Sequence, residues 1–321
     1  NAYWSSLFCL GDEIYLLGTS QQWGSVVIRR STDSGNTWTH PADEKSGMLF
    51  RGGTQHTPPN YHGAPVPVLV KEGRIYRAFQ DCTPLYQPAG FQSCVISARL
   101  EDDLLDAASW TMSNKVPLER SWLPVGWDQA CGWEEGNVVE SPDGQIWNIM
   151  RINAKKAGSP ENWFDAWMDK RFSVFNKAAL LKVTEEGKKL TFDPQTGYID
   201  LPGGHSKFTI RRDPQTGLYI TLSNAVLDVE RPTLRASLSL SCSADLRNWQ
   251  HCKVILTDDS GLPYLDSIRQ VGFQYVDWQF DGEDIIALVR TAYDGAHNFH
   301  DSNRITFHRV KDFRSLLTVS S

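Results

Sequence analysis

The stretch Gly11-Asp12-Glu13-Ile14-Tyr15-Leu16-Leu17 decides the fold, because the chain returns to it four times. It comes back as Glu72-Gly73-Arg74-Ile75-Tyr76-Arg77-Ala78-Phe79 and as Asp143-Gly144-Gln145-Ile146-Trp147-Asn148-Ile149-Met150. The last copies are Gln215-Thr216-Gly217-Leu218-Tyr219-Ile220-Thr221-Leu222 and Asp281-Gly282-Glu283-Asp284-Ile285-Ile286-Ala287-Leu288-Val289. Each is a turn rich in Gly, Asp or Glu followed by a β-rich run, the pattern of a hairpin. Ile14, Ile75, Ile146, Leu218 and Ile285 recur at intervals of 61 to 72 residues. Self-similarity at a near-constant period marks an array of structural repeats.

Each copy sits in the same context. An apolar strand precedes it at 5–10, 64–70, 136–140, 207–211 and 273–278, and a third strand follows at 25–30, 93–97, 178–183, 236–241 and 304–308. An aromatic residue closes the unit: Trp38, Trp110, Phe192, Trp249 and Phe313. Helical periodicity is absent, although the loop from Ala157 to Asn176 has room for a short helix. Repeated four-stranded antiparallel units predict an all-β fold, a β-propeller around a central channel. A β-sandwich is the alternative, but it does not need one hairpin at a fixed period. Five repeats are visible in a single domain over 1–321, and a six- or seven-bladed parent is compatible with them.

Composition narrows the function. The 321 residues carry 38 acidic and 32 basic side chains, a net charge of −6. A nucleic-acid partner needs a basic footprint, so none is expected. No apolar run approaches the roughly 20 residues of a membrane span. Six cysteines, at 9, 82, 94, 131, 242 and 252, form no Cys-x-x-Cys pair, which argues against a zinc ribbon. Cys82 with Cys94, or Cys242 with Cys252, would bridge neighbouring strands in an oxidising compartment; otherwise they are buried thiols. The chain opens Asn1-Ala2-Tyr3-Trp4 with no signal-peptide core, which suggests a processed or truncated product.

The turn after the first unit's third strand is more specific: Ser31-Thr32-Asp33-Ser34-Gly35-Asn36-Thr37-Trp38. Its carboxylate suits backbone N–H groups of the turn, and its Gly suits a positive φ. A degenerate copy runs from Ser243 through Asp245 to Trp249. This is the Asp-box, and with it the chain resembles the sialidase-like, BNR-repeat propellers over essentially its whole length. The segments His62–Val68, Glu135–Asn137 and Gly272–Trp278 resemble bacterial members in particular. The resemblance implies a carbohydrate-active enzyme, secreted or periplasmic, acting at the channel mouth. The chain departs from true sialidases in keeping one intact Asp-box, in lacking an Arg-Ile-Pro motif and in offering no assignable third arginine.

Strand starts and strand ends of equivalent repeats supply the candidate residues. Glu135 is the candidate acid or base, and His62 a candidate base. The resemblance makes Tyr275 a candidate nucleophile, since sialidases use a tyrosine activated by a glutamate. Arg151 and Arg290 end equivalent strands and suit a carboxylate. Lys207, Asn137, Gln274, Tyr293, His297, His300 and Gln22 are expected to orient sugar hydroxyls, with Trp133 as a stacking platform. Each has a plainer use in packing, turn capping or surface ion pairing. His297 and His300 are a weak metal pair, so neither metal nor cofactor is expected. The expectation is an exo-acting glycoside hydrolase whose partner is an acidic oligo- or polysaccharide. Uronate lyase, α-L-rhamnosidase and non-catalytic glycan-binding propellers are the alternatives, because one fold hosts several chemistries.

Overall fold

The computed structural model describes residues 2–54, 57–83 and 87–317. It is all-β, with one antiparallel sheet for each repeat, and its fold class is a five-bladed β-propeller. The first sheet runs Tyr3–Leu10, Glu13–Thr19, Val26–Ser31, Met48–Phe50. The second is built on Tyr61–His62, Arg74–Asp81, Gln92–Arg99 and Val116–Pro117, with Leu69–Lys71 and Trp110–Met112 paired alongside. The third runs Gly132–Glu140, Ile146–Asn153, Lys177–Thr184, Lys189–Phe192, with Tyr198–Asp200 added. The fourth runs Thr209–Arg212, Tyr219–Ser223, Ser237–Ser243, Trp249–Thr257, and the fifth Gly272–Asp281, Asp284–Ala292, Arg304–Val310.

The repeat's glycine is explained by its backbone. Gly11, Gly73, Gly144, Gly217 and Gly282 all take a positive φ, between +58° and +79°. Only glycine enters that region without steric cost, so the same tight turn recurs five times.

Three local departures from the expected pattern have physical causes. The strand expected over 64–70 is interrupted, because Pro65 and Pro67 lack the N–H that a ladder needs. Trp38 belongs to the Ser31–Trp38 turn, and the outer strand of its sheet comes later, at Met48–Phe50. Phe313 lies in a 3-10 turn, Phe313–Leu316, so the fifth sheet has three strands. A helix at Trp163–Met168 fills the loop where one was anticipated. A second, Tyr264–Gln270, is two turns long, too short to show a period.

The Ser31–Trp38 turn is held as its chemistry suggests. The Asp33 carboxylate accepts from Thr37 N at 2.8 Å and Thr37 Oγ1 at 2.7 Å, and Gly35 has φ +88°. In the degenerate copy Asp245 accepts from Arg247 N and Asn248 N, and Trp249 Nε1 donates to Leu246 O.

The residues divide into two compact units, one of 1–123, 132–150 and 180–197, the other of 124–131, 151–179 and 198–321. The first has a core of Leu17, Ile28, Ile75, Phe79, Ile96 and Trp110 with their neighbours. The second has a core of Ile220, Leu240, Trp278, Ile285, Val289 and Phe313 with theirs. The third sheet contributes strand segments to both. No described helix is long and apolar enough to cross a membrane.

Candidate functional site

Three first strands carry the same irregularity. Trp4, Glu135 and Tyr275 occupy the left-handed region, with φ of 47°, 55° and 50°. Bulky residues rarely sit there, and such outliers concentrate at functional sites. The register shows the device in two of them. Between the pairs Tyr3↔Thr19 and Ser6↔Leu17, Trp4 and Ser5 face Gly18 alone. Between Gln274↔Arg290 and Asp277↔Leu288, Tyr275 and Val276 face Val289 alone. Such bulges re-aim a side chain out of the pleat. Gly18 is required opposite the first, since a Cβ there would meet Ser5 Oγ at 2.0 Å and Tyr3 O at 2.5 Å.

In the first unit, His62 stands directly opposite Gln80 in the strand pair, which places both side chains on one face. Its Nδ1 lies 2.9 Å from Gln80 Oε1. The Trp4 ring meets the imidazole edge-on at 4.2 Å, and the Phe91 ring lies tilted at 5.4 Å. Glu134 and Glu135 complete the group: one ligand-capable atom from each of His62, Glu134 and Glu135 lies within 4.8 Å of the others. His62 and Glu135 are buried. The next residue in the Gln80 strand, Asp81, anchors this corner. Burial works against its charge, but the Lys115 ammonium at 2.6 Å and the Asn60 amide hold its carboxyl below the usual range.

The other first-unit candidates lie elsewhere. Trp133, expected as a sugar platform, is 0% exposed. Its ring packs against Trp122 and Phe192, and its Nε1 donates to Val116 O, so it is a core residue. Asn137 is buried, with its Nδ2 donating to Val138 O, and Gln22 is exposed.

In the second unit, Arg290 lies over the Tyr275 ring with its guanidinium carbon 4.7 Å from the centroid. A buried arginine that the repeat pattern does not single out, Arg235, lies over the same ring at 5.8 Å and over Phe299 at 5.6 Å. Arg235 Nη1 donates to Gln274 Oε1, while Gln274 Nε2 donates to Phe299 O and His300 O. Arg290 is steadied by Ser302 Oγ at 3.1 Å and His300 O at 2.5 Å. The His300 ring stands edge-on to Tyr275 at 6.5 Å. Burial first, then the Arg235 charge, depresses the pKa of His300.

Arg151 belongs to the same cationic neighbourhood. Its Nε donates to His205 O and its Nη2 to Asn153 Oδ1. Burial, then Arg151 and Arg235, pushes His205 down to about 3. Two guanidiniums, Arg151 and Arg235, thus gather positive charge around the buried His205 imidazole.

Lys207 is engaged inside this unit, donating to Thr209 Oγ1 at 2.6 Å and Val276 O at 2.5 Å. Tyr293 donates to Asp259. His297 and His300 both approach Asp301, and the hydrogen bonds, His297's foremost, hold that carboxyl at about 2. His297 is largely exposed.

No family model matches the chain, and no curated protein matches it in sequence. Among solved structures it is similar to an exo-β-1,3-galactanase from Clostridium thermocellum, with 12% identity and a TM-score of 0.52, covering 90% of this chain and 54% of that one. The chain therefore spans about half the length of the galactanase. It is similar to an α-L-arabinanase from Cellvibrio cellulosa, with 12% identity and a TM-score of 0.52 over 96% of this chain and 91% of the other. It is also similar to an α-L-arabinofuranosidase from Lactobacillus brevis, with 9% identity and a TM-score of 0.54 over 95% and 89%. At these identities the likeness shows the fold.

Proposed function

We propose that the protein is a glycoside hydrolase that removes a terminal sugar from an acidic glycan outside the cytoplasm. The observation that carries this reading is the pair of guanidiniums of Arg235 and Arg290 over the bulged Tyr275 ring. Two guanidiniums held beside one ring suit the carboxylate of an acidic sugar. The names of the solved structures it resembles, a galactanase, an arabinanase and an arabinofuranosidase, support glycan cleavage.

Glycoside hydrolysis needs a proton donor for the leaving oxygen and a nucleophile or base for the anomeric carbon. In this reading Glu135, with His62 and Glu134 beside it, is the first unit's candidate for proton transfer, and Tyr275 is the second unit's candidate for attack on the anomeric carbon. Arg235 and Arg290 hold the carboxylate, with Arg151 adding positive charge within the same unit. The sialidase-like assignment rests on the Asp-box and the strand motifs.

The experiment is a panel of acidic and neutral oligosaccharides assayed with wild type and Glu135→Gln. Release of a reducing monosaccharide by wild type, and loss of at least about 100-fold in kcat for the variant, is expected. Wild-type rates in Glu135→Gln would remove that residue from the reaction. Ultraviolet absorbance from an unsaturated product would replace hydrolysis by β-elimination.

A further inference from the structure

We propose that His62, Glu134 and Glu135 form a site for one divalent cation, of the kind that accepts mixed nitrogen and oxygen ligands, such as Zn²⁺ or Mn²⁺. Four observations converge on it. The ligand-capable atoms of the three residues lie within 4.8 Å of one another, close enough to share one ion. The donor set of one imidazole and two carboxylates suits a borderline transition cation better than the all-oxygen preference of Ca²⁺ or Mg²⁺.

The third observation is the orientation of the imidazole. His62 Nδ1 faces Gln80 Oε1 at 2.9 Å, an acceptor, so Nδ1 carries the hydrogen and Nε2 keeps its lone pair. Metal-binding histidines are held in this way, with the far ring nitrogen donating to an oxygen of the surrounding shell. The Trp4 and Phe91 rings pack against the imidazole.

The fourth is the rest of the same amide. Gln80 is fully buried, and its Nε2 meets no partner among the described residues. Its oxygen is the acceptor that fixes the imidazole at Nδ1. Two carboxylates brought together in a partly desolvated pocket repel each other, and a divalent cation offsets that repulsion. The inference concerns the group that the hydrolase reading uses for proton transfer, and its link to turnover rests on that reading. A water on such a cation has a lowered pKa and supplies the proton.

The test uses the intact chain, stripped with a chelator and titrated with Zn²⁺ and separately with Mn²⁺ by calorimetry, with bound metal counted by mass spectrometry. One equivalent of one of these ions is expected, with a rise in thermal midpoint on loading. His62→Ala and Glu134→Gln are expected to lose the equivalent, and Gln80→Ala to bind roughly 10- to 100-fold more weakly. The exposed His40→Ala should bind as wild type does. Absence of a stoichiometric equivalent in wild type overturns the inference, whether or not the variants fold. Equal binding by folded His62→Ala and Glu134→Gln also overturns it. Binding without turnover on the glycan panel keeps the cation site and overturns the hydrolase reading. Turnover by a chain that never takes up an ion does the reverse.

Discussion

His205 is buried beside Arg151 and Arg235, and its protonation ties stability to pH. Burial first, then the two guanidiniums, holds it down to about 3, so it is neutral when folded. The unfolded chain takes up that proton below about 6.5. The contribution is therefore fully present above about 6.5 and is lost as pH falls from there towards about 3. The slope is roughly 1.4 kcal/mol per pH unit. Replacing His205 with Gln should flatten urea-derived stability between pH 6 and 4; an unchanged slope would show that other groups set the acid limb. Trp133→Ala should cost about 3–5 kcal/mol in the same assay, because a ring at 0% exposure leaves a cavity. A loss below 1 kcal/mol would contradict its place in the core. Arg235 shows why residue-level roles were only partly legible. It precedes the third-strand segment Ala236–Ser241 just as Lys177 precedes 178–183, so nothing local sets it apart. Its importance comes from Tyr275, Gln274 and Phe299, contacts that span 39 to 64 positions of sequence and leave no local trace.

At the scale of elements, the hairpins were readable because a left-handed glycine and a paired apolar run are local chemistry. The bulges were not, since a bulge depends on the register of two strands. One bulge brings two cysteines together. Leu240 pairs with Lys253 and Ser241 with His251, so Cys252 is the extra residue. Its Sγ lies 3.2 Å from Cys242 Sγ on the neighbouring strand. Glutathione disulfide should convert this pair to a disulfide with loss of two hydrogens, raising stability by about 2–3 kcal/mol through a short loop. Alkylation and intact-mass measurement check it; two thiols still alkylated after equilibration would contradict it. Gly18→Ala should destabilise the first sheet, because its Cβ would collide with the backbone of the bulge.

For the whole molecule, all-β architecture and the number of visible repeats follow from periodicity, which needs no side-chain contacts to be seen. What periodicity leaves out is the charge arrangement within each unit. In the second unit, cations gather around Tyr275, while the fifth sheet's outer strand leaves Ile305 and Phe307 68% and 60% exposed. Phe307→Lys should therefore change stability by under about 0.5 kcal/mol while lowering self-association in sedimentation. The account as a whole stands on recognition of an anionic sugar by the second unit's arginines. The direct measurement is kcat/KM of wild type and Arg235→Gln on a terminal uronic acid or sialic acid glycoside and on its carboxamide. Wild type should prefer the acid by about 100-fold or more, and the variant should lose most of that preference while keeping its rate on the carboxamide. Equal rates of wild type on acid and carboxamide would contradict the account.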